Sequence, residues 1–246
     1  MPELPEVETI RAQLADRIPG RTMTKVEVHD PKLVEPEDPQ AVAEALAGRG
    51  ITEVGRRGKY LLIGLDDGDT LAIHLRMTGR LHWRPPGEEG EERFLRARFT
   101  LDDGSTLTFG DMRRFGRAWI VPAGPASERE AYWAERVGIE PLTPQFTARV
   151  LEGLLAGRRG PLDHDEIRRL HRAIRDRLAA AVAAGGASID SYRDSLGERG
   201  TMQDLLRVHL HQGDPCPRCR TPIVKTRVAQ RGTYWCPTCQ PEPARW

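Results

Sequence analysis

Apolar residues recur at helical spacing along the start of the chain, at Leu4, Val7, Ile10, Leu14 and Ile18. Pro5 is acceptable in a first turn, so residues 3–18 are predicted to form a helix with one apolar face. From Thr22 to Pro122 the period shortens to that of strands. β-type runs occur at Lys25–Val28, Tyr60–Leu65, Thr70–Leu75, Phe94–Leu101, Ser105–Phe109 and Ala118–Val121, and Asp66-Asp67-Gly68 and Asp102-Asp103-Gly104 read as hairpin turns. One helical interlude, about 39–47, follows Pro39. Strands joined by short turns imply a mainly antiparallel β-domain built as a sandwich.

Pro122–Pro125 and Glu140–Pro144 bracket a short helical stretch and mark a connection between domains. The pattern beyond them is helical. Asp163 and Glu166 suit a capping box, and Ile167, Leu170, Ile174, Leu178 and Val182 then share one face until Gly185-Gly186 stops the helix. Ser188–Gly200 is polar and irregular, and Met202–Val208 is expected to form another short helix.

Composition narrows the class without naming a partner. A 246-residue chain with 39% hydrophobic and 30% charged residues has the make-up of a soluble globular protein, long enough for two small domains. No apolar run reaches the length that crosses a bilayer, and the start lacks a basic flank followed by an apolar block. A cytoplasmic monomer is the expectation. The net charge of +1 hides an uneven distribution. Residues 214–246 carry six basic side chains against two acidic ones, a local +4 that leaves −3 for the rest. Such a patch suits a polyanion docking at one face, although a solvated surface accounts for the count equally well.

All four cysteines lie in that tail, as Cys216-x2-Cys219 and Cys236-x2-Cys239 separated by sixteen residues. Two CxxC turns present four thiolates to one tetrahedral ion, and the spacing is that of a zinc site. With four protein ligands no coordination position stays open, so one structural Zn2+ is expected. Ile223–Val228 and Thr233–Trp235 form the two strands of the ribbon, with Arg231 at the predicted tip, where it can reach a phosphate. The expected architecture is α+β. A β-sandwich with flanking helices occupies 1–122, a connection 123–142, a helical domain 143–213, the zinc ribbon 214–240 and a tail 241–246.

The opening Met1-Pro2-Glu3-Leu4-Pro5-Glu6 carries candidate chemistry. Methionine is readily trimmed before proline, which leaves a secondary amine; α-amino groups titrate near 7.7–8.0, so a neutral fraction exists at physiological pH. Such an amine attacking a sugar C1′ forms an iminium, an electron sink for strand cleavage by elimination. Glu3 beside it can move the protons that open the sugar. The same hexapeptide also fits an ordinary helix start with acidic residues at its first turn.

Residues 1–10, Met1-Pro2-Glu3-Leu4-Pro5-Glu6-Val7-Glu8-Thr9-Ile10, closely resemble the opening of bacterial formamidopyrimidine-DNA glycosylases. The resemblance continues through Arg57-Gly58-Lys59-Tyr60-Leu61-Leu62, Ile73-His74-Leu75-Arg76-Met77-Thr78-Gly79 and Asp111-Met112-Arg113-Arg114-Phe115-Gly116. It closes with Gln230-Arg231-Gly232-Thr233 in the ribbon. Leu4-Pro5-Glu6-Val7 favours the oxidised-purine enzymes over the sister endonuclease VIII group. The resemblance implies a bifunctional glycosylase and abasic-site lyase of base-excision repair, with damaged duplex DNA in the cleft between a β-sandwich and a helical domain. By it, Pro2 is the nucleophile, Glu3 the acid/base, Lys59 and His74 phosphate ligands, and Arg231 a DNA contact. Met77, Arg113 and Phe115 match the trio that fills the gap left by the extruded nucleotide. A buried base must leave the stack before its sugar is attacked, and apolar wedges compensate for the lost stacking. Without the resemblance, Met77 and Phe115 read as core and Lys59 as a solvated strand end.

One departure stands out. In the family a segment like Gly157-Arg158-Arg159-Gly160-Pro161-Leu162 leads into two helices with a Val-Gly-Asn-Ile-Tyr signature, part of a helix-two-turn-helix element. Here Leu162 runs directly into Asp163-His164-Asp165-Glu166, and the chain contains no asparagine. A truncated helical domain follows from this, with less packing for the Ile167–Val182 face and fewer phosphate contacts. Met112 also stands where the family commonly has proline, which implies a local turn effect. The alternative to an active enzyme is therefore a DNA-binding, zinc-loaded but catalytically weak relic.

Overall fold

The computed structural model describes residues 2–88, 90, 92–157 and 162–241. Helix α1 (Leu4–Ala15) takes proline in its first turn, and the Glu6 carboxylate turns back to accept the Glu3 N–H at 2.9 Å. Its apolar face, Val7, Ile10 and Leu14, is buried in the main core. Eight strands follow: β1 (Met23–Val28), β2 (Ile51–Arg57), β3 (Tyr60–Leu65), β4 (Thr70–His74), β5 (Gly79–Arg84), β6 (Leu95–Leu101), β7 (Thr106–Asp111) and β8 (Arg117–Val121). Helix α2 (Pro39–Leu46) intervenes, its first amides capped by the Asp38 carboxylate.

The strands form two four-stranded antiparallel sheets, ordered β1-β6-β7-β5 and β2-β3-β4-β8. Alternation along β3 sends Leu61, Ile63 and Leu65 into the shared core with Leu81, Phe99, Leu107 and Phe109 of the other sheet. The opposite face of β3 and β4 is covered by α3 (Ala126–Ala134), where Trp133 packs with Ala72 and Val121. The sandwich is as the sequence predicts, with two strands that the pattern conceals. In β2 a register shift between Ile51 and Glu53 puts the buried Ile51 and Val54 three residues apart. In β5 a buried Arg84, facing Glu92, breaks the apolar alternation.

The helical part holds α4 (Ala148–Leu155) and α5 (His164–Ala183). Asp163 and Glu166 make the expected capping box, at 2.7 and 3.0 Å, and Gly185 and Gly186 end α5 with φ of 68° and 79°. The core here is small: Phe146, Leu151 and Ile167 with partly buried neighbours. Of the five apolar positions on the α5 face only Ile167 is buried, and Leu170 is 36% exposed. Arg158–Pro161, in the family-like segment just before the break expected after Leu162, lie outside the described residues. The helix expected over 202–208 is a short 3-10 turn, Met202–Leu205.

The segment after α5 is irregular but tied down. The buried Ser188 hydroxyl donates to the Tyr192 carbonyl and accepts the Gly200 N–H, both at 3.0 Å. Gln13 of α1 receives the Ser195 N–H and hydroxyl and donates to Asp194. The buried Glu6 carboxylate accepts the Ala187 N–H at 2.8 Å. A Cβ on Gly186 would lie 2.7 Å from that side chain, which explains a glycine here beyond its φ.

Candidate active site and zinc ribbon

Pro2 is buried at the mouth of α1, and Glu3 is the residue at the helix N-cap position. The Lys59 ammonium lies 3.1 and 3.2 Å from the two Glu3 carboxylate oxygens. Residues distant in sequence thus meet beside Pro2: a carboxylate and a cation, both partly open to solvent. Next to a free proline nitrogen, this pair can relay a proton while the cation stabilises negative charge.

Met77, Arg113 and Phe115 are brought together at the surface. The Arg113 guanidinium lies over the Phe115 ring, 4.7 Å from its centroid, and its Nη1 is 3.0 Å from the Met77 sulfur. Met77 is 40% and Phe115 48% exposed, too open for the core role that their apolar character alone suggests. The loop is shaped by Asp111, which the sequence marks only as the first residue of a family-like block. Its buried carboxylate accepts the N–H groups of Arg113, Phe115 and Gly116 and the Thr78 hydroxyl. Both segments, 77–79 and 111–116, hang on this one group. Met112 points outward, 55% exposed, and disturbs none of these bonds.

His74 sits differently from a surface phosphate ligand. It is 2% exposed, and its Nδ1 accepts the Arg76 N–H at 2.9 Å. The proton of the neutral ring is then on Nε2, which has no partner among the described residues. Burial, with the nearby charges of Arg76 and Lys59, pushes the His74 pKa down to about 4. The ring packs edge-on against Tyr60, the residue after Lys59, with centroids 4.6 Å apart.

The four cysteine sulfurs, Cys216, Cys219, Cys236 and Cys239, all lie within 4.8 Å of one another. Contact with Cys219 and burial push the Cys239 thiol up to about 12, while the Thr221 hydroxyl draws Cys219 down to about 6. Four soft sulfurs so close, with opposed titrations, fit a tetrahedral Zn2+ that holds them all as thiolates. Strands β9 (Val224–Val228) and β10 (Arg231–Trp235) run from the knuckles. Arg231 is not at the tip as the sequence suggests. Ala229 and Gln230, with φ of 47° and 64°, make the two-residue turn, and Arg231 opens β10 opposite Val228. It remains exposed, one step from the tip.

Residues 1–118 match the formamidopyrimidine-DNA glycosylase N-terminal domain, and residues 213–241 match the zinc finger found in FPG and IleRS. The formamidopyrimidine-DNA glycosylase of Pelotomaculum thermopropionicum is 38% identical, with 98% of this chain and 99% of the relative aligned. That of Symbiobacterium thermophilum is 39% identical over 99% and 90%. The Lactococcus lactis Fpg in complex with abasic-site DNA superposes with a TM-score of 0.84 at 28% identity, over 98% of this chain and all of that one. The chain belongs to the formamidopyrimidine-DNA glycosylase family. It is a base-excision DNA glycosylase that also acts as an abasic-site lyase, and its four-cysteine ribbon carries a structural zinc. Among the described residues no helix is long and apolar enough to cross a membrane.

The alignment with this family also shows that the chain is short. The Pelotomaculum alignment runs to 276 positions against a chain of 246, so at least thirty of them have no residue here. Arg56 and Glu140, which also shape the site, lie outside every motif block, and Glu6 and Asp111 lie inside blocks that do not disclose their backbone partners. For Asp111 a usable signal exists: an aspartate opening a Gly-ended polar turn.

Proposed function

We propose that Pro2, freed by removal of Met1, is the nucleophile with which this enzyme excises oxidised purines, among them oxidised guanine and formamidopyrimidines, from duplex DNA. The Glu3–Lys59 pair beside the buried Pro2 is the observation that carries this reading. The proline nitrogen donates its lone pair to C1′ while the bond from C1′ to the base breaks, and the departing base takes a proton from water. The Glu3 carboxylate takes the proton that the Pro2 nitrogen then sheds and passes it to the ring oxygen as the bond from C1′ to that oxygen breaks, which leaves the Pro2 nitrogen as an iminium. That electron sink acidifies C2′; water takes the C2′ proton and the C3′–O bond breaks, which expels the 3′ phosphate. Lys59 holds the Glu3 carboxylate in place and offers its remaining donors to a phosphate beside the lesion. Met77, Arg113 and Phe115 fill the vacated stack, and the buried His74 acts behind the surface, holding the Arg76 N–H through its Nδ1. Arg231 adds a backbone contact from the ribbon. The DNA lies between the sandwich of 1–122 and the helical part of 143–213, and the enzyme works in the cytoplasm, on the nucleoid.

Borohydride reduction of the enzyme on duplex carrying an oxidised guanine opposite cytosine tests the assignment. The iminium should be trapped as a covalent adduct, and Pro2→Gly should lower its yield about tenfold or more. An equally abundant adduct in that variant, joined through another residue, would refute it. The unmatched positions and the 36% exposure of Leu170 favour one second reading, a chain that binds damaged DNA but turns it over weakly. Salt-dependent binding without any trapped adduct would select that reading.

A further inference from the structure

Lys59 follows a turn that two buried charged groups grip from outside the catalytic pair. Arg56, at the end of β2, is almost fully enclosed, as is Glu140 of the connection. The guanidinium donates to the Glu140 carboxylate at 2.9 Å and to the Gly58 carbonyl at 2.7 Å. The other Glu140 oxygen accepts the Gly58 N–H. One arginine–carboxylate pair therefore holds both backbone groups of Gly58, and with them the peptide planes that aim Lys59. Gly58 adopts φ of 56°, and a Cβ there would lie 3.0 Å from Val137 Cγ1, so the connection also limits the path of the turn.

The same guanidinium reaches the other half of the catalytic pair. Arg56 Nε donates to Glu8 at 2.8 Å, one helical turn into α1, the helix that begins beside Glu3. Arg11 also pairs with Glu8, at 2.8 Å, which leaves Arg56 bound mainly through its two carboxylates and the turn. Glu3 and Lys59 are thus both referenced to one planar, rigid group, Glu3 through α1 and Lys59 through Gly58. Burying such a network gains little stability over apolar side chains of the same volume, so its use lies in geometry. A displacement of about 1 Å in a catalytic group can cost on the order of a hundredfold in rate.

We propose that Arg56 and Glu140 are positioning residues for Lys59, acting through the Gly58 turn. The inference rests on the assignment of Lys59 to the catalytic pair. A double-mutant cycle on the full-length, zinc-loaded enzyme tests it, read as single-turnover cleavage of duplex containing oxidised guanine. Glu140→Gln should lower the rate at saturating DNA about tenfold or more with the KM for duplex within about twofold. Lys59→Ala should be slow by itself, and adding Glu140→Gln to it should cost nothing more, since the group being positioned is gone. Losses that multiply in the double variant would overturn the positioning role while leaving Lys59 catalytic. A full-rate Lys59→Ala enzyme would instead sink the assignment of Lys59, and this proposal with it. If Glu140→Gln does not fold, Gly58→Ala, which strains the same turn without removing a charge, takes its place in the cycle with the same two outcomes.

Discussion

Asp111 and His74 show what a single buried polar side chain does on the two sides of this site. Asp111 is fully satisfied by three backbone N–H groups and a hydroxyl, and so it rigidifies the loop that presents Arg113 and Phe115. His74 is satisfied on Nδ1 only, and its cost is expressed as a depressed pKa. In the unfolded chain a histidine titrates near 6.5, whereas here burial pushes it down to about 4. Between those values the unfolded state binds the extra proton, so stability falls as pH drops through that window and is unaffected above it. His74→Gln, which can still accept the Arg76 N–H, should lose about 2–3 kcal/mol less than the parent between pH 7 and pH 4.5. Denaturant midpoints at the two pH values check this, and parallel losses in both proteins would mean that the ring is solvated. The motif blocks in the sequence located His74, Met77, Arg113 and Phe115, because those residues sit in contiguous runs. They could not show that His74 is buried, that Asp111 is the organiser, or that Glu140 meets Gly58, because each depends on a partner far along the chain.

Among the elements, the ribbon was the most legible and the least self-sufficient. Cysteine spacing alone gave its ligands and its two strands, since metal geometry demands two knuckles at that separation. The turn is less legible: left-handed Ala229 and Gln230 carry none of the usual Asn-Gly signal, so the pattern starts the strand late and puts Arg231 at the tip. The buried residues of this unit are Cys216, Ile223 and Cys236, too little apolar surface to fold a hairpin without the ion. Chelation should therefore release one zinc per chain and melt β9 and β10, followed as loss of amide protection over 224–235. The sandwich, with its own large core, should keep its protection. Salt-dependent DNA binding should weaken in step with zinc loss; unchanged affinity in the zinc-free protein would show that the ribbon holds no DNA. The strands β2 and β5 teach the complementary lesson, since a bulge and a buried Arg84–Glu92 pair erase the alternation that exposes a strand to pattern reading.

Across the whole molecule the family relatives align along 98% of the chain, yet the chain is shorter than that alignment. The sandwich and ribbon match along 1–118 and 213–241, while at least thirty aligned positions lack a residue here. We place that gap after Leu162, where the resemblance breaks, and its physical trace is the apolar side of α5. Leu162 and Leu170 are 39% and 36% exposed, and Ile174, Leu178 and Val182 are only partly covered. A helix face patterned for burial and left half open is the face that a missing layer would cover. Helix α1, which begins beside the catalytic pair, packs on β2 as well as on α5 and bonds through Gln13 and Glu6 to the segment after α5, so it has supports outside the half-open face. Inserting a two-helix block of about thirty residues from a family member after Leu162 should bury Leu162 and Leu170 and raise the denaturant m-value in proportion to the surface covered. It should also tighten duplex binding with a steeper salt slope, by about one unit for each phosphate regained. The borohydride-trapping rate at saturating DNA should change far less than the affinity. A chimera whose affinity and salt slope equal those of the parent would show that the gap lies elsewhere or that the missing layer never gripped DNA.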